Sequence, residues 1–240
     1  MELGVARAPQ GMRLYAIGDV HGMDRMLAEA HEKIAADLAA RPVADHRIIH
    51  LGDYVDRGDD SAAVLDRLAR VTVNDHRLVA LMGNHDELML RFLTDPVDAG
   101  PDWMRNGGDT TLRDYGISVP GTPGPDELAD LGDALAAALP GDHRALLEGL
   151  RRSIQFGDFF FCHAGIRPGV PLDRQDPEDL IWIRKPFLTS KDDFGAVVIH
   201  GHTPVHEPEI RLNRIDIDTG AVYGGPLTTL AIDGTAYRFL

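Results

Sequence analysis

Apolar and polar residues come in blocks along this chain. Arg13–Ile17 (RLYAI) is a short apolar run that stops at Gly18-Asp19. A run of that length, closed by glycine, predicts a strand. Met23–Ala40 then takes a helical period through Met26, Leu27, Ala30, Ile34 and Leu38. Arg47–Leu51 (RIIHL) predicts the next strand and stops at Gly52-Asp53. Ser61–Val71 predicts a helix with Val64, Leu65 and Leu68 on one face. Arg77–Met82 (RLVALM) predicts a third strand, stopping at Gly83-Asn84 and followed by a helix through Leu93. The repeating order is strand, glycine, polar residue, helix. It implies parallel βαβ units with a site at the carboxyl ends of the strands.

The texture changes from Thr94 to Leu150. Pro and Gly cluster at Asp95–Pro101 and Pro120–Pro125, and the stretches Asp126–Leu139 and Asp142–Leu150 are rich in Ala and Leu. This reads as an inserted helical cap. The remainder is strand-rich. Ser153–Phe156 and Phe159–Cys162 flank a Gly157-Asp158 turn, which predicts a hairpin. Ala196–His200 predicts a buried strand ending at Gly201-His202. Ile215–Ile217, Leu227–Ile232 and Ala236–Phe239 complete a sheet, the last two joined through Asp233-Gly234.

Composition narrows the picture. With 240 residues, 44% of them hydrophobic, the chain is long enough for one sizeable core. A net charge of −14 excludes a basic-groove nucleic-acid binder and disfavours anionic membranes. It still permits anionic phosphate where divalent cations dominate the local potential. Cys162 is the single cysteine, so no intrachain disulfide is possible, which fits a reducing compartment. The N-terminus (MELGVARAPQG) lacks the apolar core of a signal peptide, and no apolar run approaches the ~20 residues of a membrane span. The expectation is a cytoplasmic protein with a mobile tail over residues 1–11 and a single domain over 12–240.

The chemistry sits at the predicted strand ends. Asp19 and His21 in GDVHG are two apart, which puts both side chains on one side of an extended segment. In GDYVDRG, Asp53 has two oxygens with which to bridge metals, Asp56 could orient a histidine, and Arg57 could fork onto a phosphate. GNHD supplies Asn84, a neutral carbonyl ligand and equally a helix cap, then His85, whose ordinary pKa suits a general acid. His163 in CHAG and His202 in HGHTP each follow an apolar strand and stand within two residues of a glycine. A lone histidine in that place is usually a satisfied core residue. Two of them, with Asp19, His21, Asp53 and Asn84 upstream, point instead to a two-metal hydrolytic site. His200 ranks lower, as a supporting or core residue.

Together GDVHG, GDYVDRG, GNHD, CHAG and HGHT resemble the signature set of the phosphoprotein phosphatase branch of the calcineurin-like metallophosphoesterases. NGGDTTLRDYG (Asn106–Gly116), LIWIR (Leu180–Arg184) and IDTGAVYGG (Ile217–Gly225) resemble its bacterial and bacteriophage lambda phosphatase-like subgroup. The resemblance implies an α/β fold: a ββ sandwich flanked by helices, here with the helical cap at about 94–150. It implies two divalent or transition metals, Mn first, with Fe, Zn or Ni as alternatives. Asp19, His21 and Asp53 would hold one metal, and Asp53, Asn84, His163 and His202 the other. Asp56 and His85 would donate a proton, and Arg57 and Arg184 would bind phosphoryl oxygens. The implied partner is a phosphorylated protein or a small phosphoester. Asp56 in VDRG favours a serine/threonine protein phosphatase, since the related symmetrical diadenosine tetraphosphate hydrolases commonly carry VARG there. That hydrolase, or another nucleotide phosphatase, is the alternative. A non-catalytic scaffold of the same fold is a third and lesser one, because such proteins usually lose ligands.

Overall fold

The computed structural model describes residues 4–240. The first half builds β1 (Met12–Ile17), α1 (Asp24–Ala40), β2 (Asp45–His50), α2 (Ser61–Asn74), β3 (Leu78–Ala80) and α3 (Asn84–Thr94). Next come α4 (Pro96–Arg105), α5 (Gly108–Asp114), α6 (Pro125–Ala138) and α7 (Gly141–Glu148). The second half adds β4 (Ser153–Phe156), β5 (Phe159–Cys162), α8 (Asp179–Trp182), β6 (Val197–His200), β7 (Glu209–Ile210), β8 (Arg214–Asp216), β9 (Thr229–Asp233) and β10 (Ala236–Phe239).

Two five-stranded sheets result, ordered β10-β9-β1-β2-β3 and β4-β5-β6-β8-β7. The pairs β1–β2, β2–β3, β5–β6 and β6–β8 are parallel, and β1–β9, β9–β10, β4–β5 and β7–β8 are antiparallel. Alternation along each strand explains the stacking. Leu14, Ala16, Ile49 and Leu51 meet Phe159, Phe161, Ile199 and Ile215 in an apolar layer between the sheets. Tyr15, Ile17 and Ile48 face the other way, under the helices. Phe160, Cys162 and Val198 turn outward beneath α8 and Phe187. A strand covered on both faces must read as a near-continuous apolar run, and these do.

The structure refines the sequence reading in four places. β3 is shorter than Arg77–Met82, because Leu81 bridges to Arg151 and the Met82 amide donates to the Arg151 carbonyl (2.8 Å). Asp95–Pro101, where the sequence shows a Pro and Gly cluster, is mostly helix: Pro96 opens α4 where no N–H partner is needed, and the Asp95 carboxylate accepts from the Asp98 amide (3.1 Å). The inserted helices of residues 94–150 rest on the earlier ones: α6 packs on α3 and α4, and α7 on α2 and α3. Leu128, Leu131, Leu135 and Leu147 share one apolar cluster with Leu65, Met89, Phe92 and Trp103. Residues 1–3 of the expected mobile tail lie outside the described residues, but residues 7–8 are pinned. The Arg7 amide donates to Asp158 (2.9 Å), the Ala8 amide donates to the Gly234 carbonyl (3.0 Å), and Ala8 is buried. Among the described residues, no helix is long and apolar enough to cross a membrane.

Candidate metal centre

Six buried side chains converge where the parallel strands of both sheets end. Asp19 lies two residues beyond β1 and Asp53 three beyond β2; Asn84 opens α3; His163 and His202 follow β5 and β6. Asp19, His21, Asp53, Asn84, His163 and His202 are all buried. The Asp53 Oδ2 atom is central: His21 Nε2 lies 3.4 Å away and His163 Nε2 3.3 Å away. Asn84 Oδ1 sits 3.0 Å from His163 Nε2 and 2.8 Å from His202 Nδ1. His21, Asp53 and His85 form one tight donor group, and Asp53, His163 and His202 another.

Neighbouring backbone sets which ring nitrogen faces the cleft. His21 Nδ1 donates to the Val55 carbonyl (2.9 Å) and His163 Nδ1 to the Leu51 carbonyl (3.0 Å), which turns both Nε2 lone pairs toward the cleft. Burial holds His21 down at about 3 and His202 at about 2, so both rings stay neutral, as metal ligands require. Burial also pushes the Asp19 carboxyl well above its ordinary value, and the nearby Asp218 and Asp53 push it further. Its Oδ1 atom is buried without a hydrogen-bond partner. Burial opposes ionisation of Asp53 as well, but the facing imidazoles of His163 and His85 outweigh it and hold this carboxyl well below the usual range. Crowded buried carboxylates with an orphaned oxygen, beside neutral imidazoles and an amide oxygen, fit divalent cations.

The loops bend sharply to do this. Among the described residues, the non-glycine residues with positive φ are His21, Asp53, Asp56, Arg57 and His202, and every one is a predicted site residue. Such conformations cost on the order of 1–3 kcal/mol each and persist where their surroundings fix them. Gly83 shows how close the loops run, since a Cβ there would lie 2.1 Å from Asp53 Oδ1.

His85 occupies the cleft edge. Its Nδ1 donates to Asp56 Oδ2 (2.7 Å), while Nε2 lies 4.0 Å from Asp53 Oδ2. Burial alone would lower the His85 pKa, but Asp53 and Asp56 outweigh it and raise the value. Arg57 Nη1 donates to His21 Nε2 (2.6 Å), and its guanidinium lies 5.8 Å from the centre of the exposed Tyr223 ring. Arg184 is exposed, near enough for its charge to act on His202. His200 is a core residue packed against Phe187 (4.9 Å between rings). Cys162 is buried, its thiol pushed up by burial, and donates to the Gly165 carbonyl (3.4 Å).

Sequence reasoning missed three supports. The Asp86 carboxylate accepts from the backbone amides of Asp53, Tyr54 and Gly83, each at 2.9 Å, tying two site loops together. Trp103 and Thr111 both donate to Asp56. Asp86 stands inside GNHD and Thr111 inside NGGDTT, so the motifs marked the places without showing the contacts.

A sandwich of two mixed sheets with metal-fitting donors at its parallel strand ends defines a metallophosphoesterase. The chain belongs to the calcineurin-like phosphoesterase family, whose pattern matches residues 12–225. It is 25% identical over 248 residues to the asymmetrical bis(5'-nucleosyl)-tetraphosphatase PrpE of Bacillus cereus, covering 91% of this chain and 90% of that one. The protein of the same name from Bacillus thuringiensis is 26% identical with the same coverage. Among solved structures, a candidate diadenosine tetraphosphatase superposes with a TM-score of 0.68 at 20% identity, covering 98% of this chain and 97% of the other. A cold-active protein-tyrosine phosphatase of a Shewanella species superposes at 0.59 with 15% identity, over 98% and 83% of the two chains. At these identities the structural likeness shows the fold alone. The curated relatives carry dinucleotide names, where the sequence reading placed a serine/threonine phosphatase first.

Proposed function

We propose that this chain is a two-metal hydrolase of dinucleoside tetraphosphates. The observation that carries a two-metal site is the position of Asp53, whose Oδ2 lies between His21 Nε2 at 3.4 Å and His163 Nε2 at 3.3 Å. Asp19, His21 and Asp53 would hold one cation; Asp53, Asn84, His163 and His202 would hold the second. Bound there, the two cations would supply Lewis acidity for the phosphoryl oxygens and lower the pKa of an attacking water. All donors are oxygen or nitrogen, which favours Mn²⁺ over thiophilic ions. Arg57 and Arg184 bind the phosphoryl oxygens, on which charge develops. A cation would compete with Arg57 for the His21 lone pair, freeing its guanidinium for the anion. His85, held by Asp56, donates a proton from Nε2 to the leaving oxygen. Tyr223, 65% exposed beside Arg57, offers a face on which a base can stack.

The dinucleotide assignment is supported by relatives that share the name across 91% of the chain. One observation favours a second reading, hydrolysis of phosphoserine or phosphothreonine. The Asp56–His85 pair, at 2.7 Å, suits a poor alkoxide leaving group more than a phosphate that departs readily as an anion. Mn²⁺-loaded protein should be given diadenosine tetraphosphate and a phosphopeptide at equal enzyme, with products separated by chromatography. We expect faster turnover of the dinucleotide, to ATP and AMP. ADP alone would make the cleavage symmetrical. Faster turnover of the phosphopeptide would establish the second reading and overturn the first.

A further inference from the structure

The segment Trp103–Gly116 contributes nothing to the six converging donors, yet it reaches the Asp56–His85 pair. We infer that Trp103 and Thr111 are positioning residues that fix the Asp56 carboxylate, and through it the ring of His85. This rests on the phosphohydrolase reading above.

The Asp56 side chain is fully buried and accepts from three donors. The Trp103 indole N–H spans both oxygens (3.1 and 3.0 Å), and the Thr111 hydroxyl donates to Oδ1 (2.7 Å). That leaves Oδ2 for His85 Nδ1 (2.7 Å). The Thr111 oxygen also accepts from the Asp56 amide (2.9 Å), so this pair is reciprocal. The end torsion of an aspartate is broad and nearly two-fold, so its own rotamer preference does not set the carboxylate plane. The donors around it do. With the plane set, His85 is held with its proton on Nδ1 and Nε2 turned to the cleft.

Trp103 also packs on Phe92, with ring centres 4.6 Å apart, and a plain core residue would do the same. Two features go beyond packing. The indole N–H is aimed at the carboxylate. Gly108 yields space to the ring, since a Cβ there would come 2.4 Å from it. The Asn106-Gly107-Gly108 turn also receives the Arg57 amide on the Gly107 carbonyl (3.3 Å), so one segment braces both Asp56 and its neighbour.

The test uses Trp103→Phe, Thr111→Val and Thr111→Ser in the Mn²⁺-loaded protein, with an alkyl phosphate and p-nitrophenyl phosphate as substrates. Trp103→Phe and Thr111→Val should each lower kcat on the alkyl ester roughly ten- to a hundredfold, the scale of a lost hydrogen bond to a buried charge. The loss on p-nitrophenyl phosphate should be smaller, with KM and metal content unchanged. Thr111→Ser should keep wild-type turnover. A second readout needs no activity: ¹⁵N imidazole spectra of the metal-free protein, taken at a pH where His85 is neutral, should show His85 as one tautomer in wild type and as a mixture in the two variants. Unchanged leaving-group dependence together with an unchanged His85 signal would overturn the inference. Should Trp103→Phe fail to fold, the Thr111 pair decides alone. If wild type hydrolyses neither ester, the phosphomonoester reading falls, and the imidazole spectra alone decide whether the two donors set the ring.

Discussion

The strand-end loops and the helical segment between Thr94 and Leu150 serve one cleft by opposite means. The loops carry the donors and strain to do so, with positive φ at His21, Asp53, Asp56, Arg57 and His202. The helices keep regular backbone, bury leucines, and send only Trp103 and Thr111 toward the chemistry. A loop can aim a carboxylate where no strand or helix would. It holds that aim only if something rigid braces it. Chemistry and rigidity are thus divided between two kinds of backbone, and the division can be broken from either side.

Breaking the loops should cost most. Asp53→Asn removes the one carboxylate placed between both donor sets, and an amide does not replace its charge. Turnover should fall by about 10⁴ or more, since metal-assisted stabilisation is worth several kcal/mol. Elemental analysis should show less than the two ions per chain expected of wild type. Wild-type turnover with full occupancy would refute the bridging role. Chelation of the wild type should abolish activity likewise and be reversed by Mn²⁺.

His85→Asn tests the boundary between loop and brace. It should lower kcat by ~10²–10⁴, the scale of positioned proton transfer, with both metals retained. The loss should be greater on an alkyl phosphate than on p-nitrophenyl phosphate. Equal losses on both would recast His85 as a binding residue.

Breaking the helices should look different. Leu135, on α6, is fully buried in the apolar cluster that also holds Met89 and Phe92 of α3. Leu135→Ala should cost about 2–5 kcal/mol of unfolding free energy, read from urea titration. Metal content should stay near wild type, because no ligand comes from these helices. Loss of both metals in the still-folded variant would mean that the helices build the centre as well as brace it.

This division also decides what was legible beforehand. The donors were legible because each stands within a few residues of a strand end, and glycine beside a polar residue after an apolar run is a local signal. The strands followed from the same runs, and their arrangement as a two-sheet sandwich from the resemblance alone. α4 was not legible: Pro96 and Pro101 suggest a loop until Pro96 is placed in the first turn and Asp95 caps it. β7 has two residues, too few to show an alternation. The brace on Asp56 was out of reach because Trp103 and Thr111 stand 47 and 55 residues away in sequence, and a lone tryptophan reads as core. Substrate choice was weighted on Asp56 alone. In the proposed reaction that residue would serve the leaving group, whereas a nucleoside would be recognised at the rim, where Tyr223 lies exposed.

The smallest effect sharpens the comparison with histidines on regular backbone. His50 on β2 and His31 on α1 face each other, Nε2 to Nε2, at 2.8 Å. His50 Nδ1 donates to the Val79 carbonyl (3.3 Å), so His31 donates and His50 accepts, and both rings are neutral. Burial lowers them, His31 to about 4 and His50 to about 3. Unfolded, each would titrate near 6.5 and bind a proton that the folded form refuses. Above that pH the pair contributes nothing pH-dependent. As pH falls below it, stability is lost, continuing until the folded values are reached. Between pH 6.5 and 5 the loss should be on the order of 1 kcal/mol or more, read by urea titration of the metal-free protein. In His31→Gln the slope should be shallower, since one titrating ring is gone. A slope identical to wild type would assign the acid sensitivity to His21 and His202, the neutral histidines of the strained loops.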